Sequence, residues 1–164
     1  MDRFVSHFTN RLDAKGRISI PASFRSVLAR DGFEGIFVFP DPDAPMLNAG
    51  GRALIAEIDR LIAGVPVLTG EQDFLAAALY GTSEILKLDP EGRVLLPDSL
   101  KAHAGIGDSA TLVGLGTKFQ ICEPEHFRAQ LAAARQHIRT LRSRPGTERN
   151  YSTSGDLPSG APGQ

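Results

Sequence analysis

An aspartate and an arginine recur at a fixed spacing twice in this chain of 164 residues. The motif Asp-x-x-Gly-Arg-x-x-x-Pro occurs at residues 13–21 and again at residues 89–97, 76 positions later. An arginine that begins a strand just after a turn can bind a guanine edge or a phosphate through paired hydrogen bonds. It can equally pair with an aspartate of the opposite repeat and stabilise the fold. For Arg17 and Arg93 the sequence leaves both roles open.

The two motifs differ at the residue before the glycine, which is Lys15 in the first and Glu91 in the second. The fold therefore does not require a base there, and a lysine on an exposed turn is well placed to contact a phosphate. The first 30 residues hold six lysines and arginines against two acids, although the net charge of the whole chain is −1. Such a local excess of positive charge is typical of a surface that binds nucleic acid.

The pattern around each motif predicts a strand, a tight turn, a second strand and a short helix. The first strands are predicted at residues 7–12 and 84–88, and the second at 17–20 and 93–96. In the turn the aspartate can accept backbone N–H groups and the glycine can take a positive φ. The proline suits the first position of a helix. Six motif residues therefore receive a structural role: Asp13, Gly16, Pro21, Asp89, Gly92 and Pro97.

Further strands are predicted at residues 35–39, 110–115 and 118–121, and residues 41–50 are predicted to form a surface loop. Each repeat is near the lower size limit for an independent core, so we expect the two copies to pack together. The fold class expected is mostly β with short helices (α+β). The strands of the two units would close into a pseudo-twofold barrel, followed by a C-terminal helix.

Apolar residues at helical spacing predict two connecting helices, within residues 54–62 and 73–80, and a third helix over 126–143. Residues rich in Ser, Gly and Pro follow and are predicted to be disordered. The domain organisation expected is a first repeat, a helical connector, a second repeat, a helix and a tail. Their bounds are 6–52, 53–82, 83–125, 126–143 and 144–164.

Catalytic and metal-binding patterns are missing from the sequence. The motifs Gly-x-x-x-x-Gly-Lys-Ser/Thr, Gly-x-Ser-x-Gly and His-Glu-x-x-His do not occur, and the four histidines lack metal-ligand spacing. Cys122 is the only cysteine, which excludes an intramolecular disulfide, and we expect it to be a core residue. We therefore predict neither an enzyme nor a bound cofactor or metal. Without an apolar run of membrane-spanning length, a cytoplasmic location is expected.

The doubled motif resembles that of the MraZ family of bacterial transcriptional regulators, whose halves are similar to the DNA-binding domain of AbrB, over about residues 1–143. The resemblance implies swapped-hairpin units, a ring-shaped homo-oligomer and a nucleoid-associated protein. It also implies binding of double-stranded DNA at short direct repeats upstream of its own operon, and repression of the division and cell-wall gene cluster. The residues that we predict to contact DNA are Arg11, Lys15, Arg17 and Arg93.

Two alternatives remain open. AbrB-like units also occur in antitoxins, where a C-terminal segment wraps a protein partner, but antitoxins typically carry one unit per chain. A scaffold for a protein partner is a related possibility. In the last helix, Arg128, Arg135 and Arg142 lie seven residues apart on one face. That face is either solvated or a second contact with nucleic acid, and the solvated interpretation is favoured.

Overall fold

The computed structural model describes residues 2–143, and this part of the chain divides into two units after Phe127. It contains eight strands and five α-helices. The strands are β1 (His7–Arg11), β2 (Arg17–Ser19), β3 (Ile36–Pro40), β4 (Leu47–Gly50), β5 (Glu84–Leu86), β6 (Arg93–Leu95), β7 (Ser109–Gly114) and β8 (Phe119–Cys122). The helices are α1 (Ala22–Asp31), α2 (Arg52–Ala63), α3 (Glu71–Leu79), α4 (Asp98–Ala104) and α5 (Pro124–Arg142).

The two repeats exchange strands in one antiparallel sheet of order β1-β7-β8-β4-β3-β5. The first strand of each repeat pairs with the third strand of the other, β1 with β7 and β5 with β3. At the centre β4 pairs with β8. The order is unchanged when the repeats are interchanged, so the topology has the expected pseudo-twofold symmetry and neither repeat builds the sheet alone.

Strands β2 and β6 form a separate two-stranded antiparallel ribbon. Its central pair is Ile18 opposite Val94, which occupy equivalent positions in the two motifs. The pseudo-twofold axis therefore passes between these two residues. Both side chains are buried, and their burial fixes the register because a shift by one residue would expose them.

The expected α+β class, rich in antiparallel strands, is confirmed, but the strands among residues 2–143 do not close into a barrel. Closure would need continuous ladders that join both edges of the sheet to the ribbon, β1 to β2 and β5 to β6. At the first turn, only one backbone hydrogen bond links the segment that follows β1 to β2, from Asp13 N to Arg17 O at 2.9 Å. Further from the turn, a side chain makes the contact between β1 and β2, because the amide of Asn10 donates to Ser19 O at 2.9 Å. The two strands therefore do not form a backbone ladder.

The prediction of a surface loop over residues 41–50 is wrong for its second half, because Leu47–Gly50 forms β4 and all four residues are buried. Asn and Gly are poor strand formers, so local preference gave no strand signal. Tertiary pairing decides instead, since β4 lies between β3 and β8. The buried Asn48 is satisfied there, because it donates to Asp41 Oδ2 at 2.9 Å and accepts from Gln120 Nε2 at 3.0 Å.

Strand β3 separates two apolar clusters. Ile36 and Val38 point into the main core, which draws residues from both repeats, while Phe37 and Phe39 point into a second cluster. This alternation follows from the two-residue period of a strand. Helices α2 and α3 cover the second cluster, at the places where connecting helices were predicted.

The helix predicted at residues 126–143 is present as α5 and begins two residues earlier, at Pro124. Its apolar positions recur at helical spacing, yet none of its residues is buried, and Ile138 is 51% exposed. No helix within residues 2–143 combines the length and the apolarity that crossing a membrane requires. The predicted disordered tail, residues 144–164, lies outside the described residues.

Candidate nucleic-acid interface

Each motif forms a tight turn that its aspartate closes. Asp13 Oδ1 accepts the backbone N–H groups of Lys15 at 3.0 Å and Arg17 at 2.9 Å. Asp89 Oδ1 accepts the equivalent groups of Glu91 and Arg93, both at 2.9 Å. One carboxylate oxygen therefore holds the turn in each repeat.

The glycines make the turns possible, because Gly16 has φ of +82° and Gly92 of +78°. A side chain at either position would be strained.

Both turn carboxylates have lowered pKa values. For Asp13 the main cause is the backbone hydrogen bond from Arg17, followed among the lowering effects by the Arg17 side chain. The pKa of Asp89 is lowered in the same way by Arg93. Hydrogen bonds to the charged form favour ionisation, so both groups are carboxylates at neutral pH.

The second oxygen of each carboxylate holds the motif arginine. Arg17 Nε donates to Asp13 Oδ2 at 2.6 Å, and Arg93 Nε donates to Asp89 Oδ2 at 2.9 Å. The structural alternative expected a partner in the opposite repeat, whereas the principal partner lies in the same turn. Arg93 also reaches across, with its Nη1 3.8 Å from Asp13 Oδ2.

The prolines position a helix against each turn. Pro21 and Pro97 lie one residue before α1 and α4, at the N-cap rather than the predicted first helical position. Their φ values of −53° and −59° suit a chain that enters a helix. Each helix that starts there places one basic side chain beside a turn.

Those bases are Arg25 and Lys101, which are equivalent in the two repeats, and each lies beside the turn of the other repeat. A Cβ atom at Gly92 would be 2.7 Å from Arg25 Nε, and one at Gly16 would be 3.9 Å from Lys101 Nζ. Arg25 Nε also donates to Ile20 O at 3.1 Å. Sequence reasoning did not place these two residues at the site. The available signal was a base eight residues after the motif arginine in both copies.

The structure places Lys15 on the exposed tip of the first turn and Arg11 on an exposed position at the end of β1. Within residues 2–143 neither side chain forms an ion pair. The four predicted DNA-contacting residues thus fall in or directly before the two turns. Together with the two helix bases they form a cluster that we call the turn surface: Arg11, Lys15, Arg17, Arg25, Arg93 and Lys101.

Other chemistry has little support in the part of the chain that the structure describes. No three His, Cys, Asp or Glu side chains there lie close enough to hold a metal ion. Cys122 is buried at the end of β8, as expected. Burial, and secondarily the charge of Glu123, raise the pKa of its thiol to about 11, which makes it a poor nucleophile.

Comparison with known proteins gives consistent matches. A family model described as "MraZ protein, putative antitoxin-like" matches residues 79–144. The transcriptional regulator MraZ of Beijerinckia indica is 59% identical over 142 residues, which is 87% of each chain. The same regulator of Xanthobacter autotrophicus is 57% identical over 147 residues, 90% of this chain and 94% of the relative.

A more distant relative shows the same pattern. The transcriptional regulator MraZ of Rhizobium johnstonii is 38% identical over 135 residues, covering 82% of this chain and 93% of the relative. Transcriptional regulators are not a class of enzymes. Identity at these levels over most of both chains shows that the chain belongs to the MraZ family of transcriptional regulators.

Proposed function

We propose that the chain represses transcription by binding double-stranded DNA sequence-specifically through the turn surface. The single observation that carries this proposal is the convergence of six bases around two turns in a chain whose net charge is −1. Phosphate affinity depends on such local clusters of lysine and arginine rather than on the net charge. The repeats that build the surface are proposed to extend over 6–52 and 83–125.

The two roles that the sequence left open for Arg17 are compatible in this geometry. Asp13 engages its Nε, and no other ion pair of Arg17 occurs among the described residues. The two Nη groups remain available to a guanine edge or a phosphate, which arginine binds through two parallel hydrogen bonds. Asp13 orders the guanidinium before DNA arrives, so that less conformational entropy is lost on binding.

Lys15 and Arg11 have a simpler role in the proposal, because both are exposed cations without an ion pair in residues 2–143. Each would neutralise a phosphate and position the turns on the duplex. The base contacts would then come from Arg17, with a smaller contribution from Arg93.

We further propose that several copies assemble into a ring, because one small turn surface discriminates weakly. Each mismatched base pair costs only about 1 to 3 kcal/mol. The connector exposes Leu68 completely, Phe74 at 78% and Val67 at 75%, a cluster that we call the connector patch. Clustered exposed apolar side chains are typical of protein-protein contacts. A ring would let several subunits engage successive direct repeats and gain avidity.

The proposed targets are the short direct repeats in the promoter of its own operon, with control of the division and cell-wall gene cluster. Such a protein would be found on the nucleoid in the cytoplasm. These targets follow the family resemblance and are consistent with the relatives' shared description as transcriptional regulators.

Fluorescence anisotropy on the DNA upstream of its own gene, titrated with salt, tests the proposal. For Lys15→Ala and Arg17→Ala we expect weaker binding. The negative slope of log K against log salt should become shallower by about 0.9 for each phosphate that the variant no longer neutralises. Arg3→Ala is the matched control, because Arg3 is exposed beside Gly116, at the opposite end of β1 from the turns. Parent binding no tighter than to a scrambled duplex would contradict the proposal.

The family model's antitoxin-like description keeps a protein-partner role as the second candidate. In that case the turn surface would serve the fold, and α5 with its basic face would contact the partner. The same titration separates the two candidates. An intact oligomer that binds the upstream DNA no more tightly than a scrambled duplex would favour the partner role. Tight, salt-dependent binding would favour the regulator.

A further inference from the structure

The pseudo-twofold symmetry of the fold raises a question about how one copy lies on DNA. The axis passes between Ile18 and Val94, so the two turns are related by a rotation of the duplicated unit. A protein with twofold symmetry fits an inverted repeat, because each half meets an equivalent half-site. With two equivalent turns, a single copy would bind a site equally well in either direction.

The charges of the two turns break this symmetry. The ionised side chains of the first turn are Asp13, Lys15 and Arg17, which sum to +1. Those of the second turn are Asp89, Glu91 and Arg93, which sum to −1. The adjacent helix contributes one cation to each turn, so it does not remove the difference.

The motif arginines show the same asymmetry, because Arg17 has fewer carboxylates around it than Arg93. Arg17 pairs with Asp13 alone among the described residues, through Nε. Arg93 is surrounded by three carboxylates: its Nε lies 2.9 Å from Asp89 Oδ2, its Nη2 3.3 Å from Glu91 Oε2 and its Nη1 3.8 Å from Asp13 Oδ2. These carboxylates raise the pKa of Arg93, Asp89 most strongly. Each of the three guanidinium nitrogens of Arg93 therefore lies within 4 Å of a carboxylate oxygen, whereas in Arg17 only Nε does.

We infer that Glu91 is a specificity-determining residue that gives each copy one direction on DNA. It repels the phosphates that approach the second turn and occupies an Nη group of Arg93, so that the first turn alone makes close contact with the backbone. The inference rests on the proposed DNA-binding function. It adds a residue that opposes binding at one half of the turn surface. Specificity is commonly achieved by such a group that disfavours the alternative arrangement.

The charge of Glu91 matters more in this inference than its ion pair. The Glu91 side chain is 73% exposed, and ion pairs of exposed groups contribute little in water. A carboxylate next to a phosphate, in contrast, adds like-charge repulsion at the interface. Binding should therefore follow the charge at position 91, increasing from Glu91 to Glu91→Gln and again to Glu91→Lys.

Direct repeats require subunits that all point the same way along the duplex. Identical copies in a cyclic ring meet head to tail and share one rotational sense. If each copy binds DNA in one direction only, successive subunits of the ring present the same turn to successive direct repeats. An inverted repeat would present the second turn, with Glu91, to half of the sites.

Directed cleavage of DNA can show which turn lies on the backbone. Ala14 and Pro90 are equivalent, exposed positions of the two turns, and an iron–EDTA group can be attached to Ala14→Cys or Pro90→Cys. Cys122 should not compete for the reagent, because it is 1% exposed. With ascorbate and hydrogen peroxide, we expect the group at position 14 to cut the upstream duplex at each repeat. The group at position 90 should cut several-fold less.

Combining each attachment with Glu91→Lys should make the two groups cut to a similar extent. In the unlabelled protein, Glu91→Lys should make the negative salt slope steeper by about 0.9 for each additional phosphate that the variant neutralises. Asp2→Lys is the control, because Asp2 is exposed beside Arg3, at the opposite end of β1 from the turns, and the substitution changes the total charge equally. A duplex in which one repeat is inverted should lose affinity for the parent and recover it for Glu91→Lys.

The outcomes separate the inference from the function on which it rests. If the parent does not prefer the upstream duplex to a scrambled one, the proposed function fails. If the parent binds tightly and both attached groups cut equally, the function stands and the inference is overturned. An equal effect of Glu91→Lys and Asp2→Lys on the salt slope would also overturn it. Circular dichroism of each variant confirms that it is folded.

Discussion

At the scale of single residues, one carboxylate in each turn serves both the backbone and the side chain. Asp13 and Asp89 each use one oxygen for two backbone N–H groups and the other for an arginine. This double use explains why aspartate and arginine recur together in both motifs. The conformation of the turn and the position of the guanidinium depend on the same charge.

That charge makes stability depend on acid pH. The folded-state pKa values of Asp13 and Asp89 lie below the ordinary value of 3.8, so the stabilisation is complete above 3.8 and is lost as pH falls through the lowered values. In Asp13→Asn with Asp89→Asn we expect a smaller decrease in melting temperature between about pH 5 and pH 3 than in the parent. Thermal unfolding followed by circular dichroism measures it.

The matched control for this prediction is Asp43→Asn, because Asp43 is an exposed aspartate in the loop before β4. No side-chain hydrogen bond or ion pair of Asp43 occurs among the described residues. The melting temperature of the Asp43→Asn variant should decrease with falling pH as much as that of the parent. An identical decrease for the parent and the double variant would show that the turn carboxylates do not contribute.

At the scale of secondary structure, the elements with a local signal were predictable. The turns were specified by Asp and Gly, and α2, α3 and α5 by apolar spacing. Strand β4 had no such signal, because Leu47–Gly50 includes Asn and Gly and is a strand only through its two neighbours. Arg25 and Lys101 were missed at the site for a related reason, since each lies against a turn that is distant in sequence.

Strand β4 should therefore depend on the hydrogen bonds of Asn48. This side chain is 2% exposed and links Asp41 to Gln120. Asn48→Ala removes both bonds and leaves their partners without it, so we expect a loss of about 1 to 3 kcal/mol in the free energy of unfolding. Urea denaturation measures that loss.

Asn10→Ala is the comparison for Asn48, because the Asn10 amide donates an exposed hydrogen bond to Ser19 O. Water can replace that bond, so the loss should be clearly smaller. Equal destabilisation by the two substitutions would mean that burial at β4 contributes nothing beyond the bonds themselves.

At the scale of the whole molecule, the duplication allows one chain to form a sheet and a core that neither repeat could form alone. Strands of both repeats are interleaved in one sheet, and both repeats supply the main core. The proposed assembly can therefore use surfaces outside the repeats. The connector patch belongs to the segment between the repeats, and in the proposed ring it would provide the subunit contact without residues of the turn surface.

Leu68→Asp with Phe74→Asp should separate assembly from DNA contact. Both side chains are exposed in the connector, so the substitutions should leave the core intact while placing charge in a subunit contact. We expect light scattering to show a lower molecular mass. Affinity for one repeat should be unchanged, whereas affinity for several repeats should fall by a factor on the order of 10² to 10⁴ as avidity is lost.

Leu115→Asp is the control for this variant, because Leu115 is also an exposed apolar residue, at 48%, but lies outside the connector. It should retain both the parent mass and the preference for several repeats. If the connector variant kept its mass, assembly would use another surface. If its mass fell but it still preferred several repeats, avidity would not explain the preference. Only a joint decrease of the mass and of that preference would link ring assembly to the reading of repeated DNA.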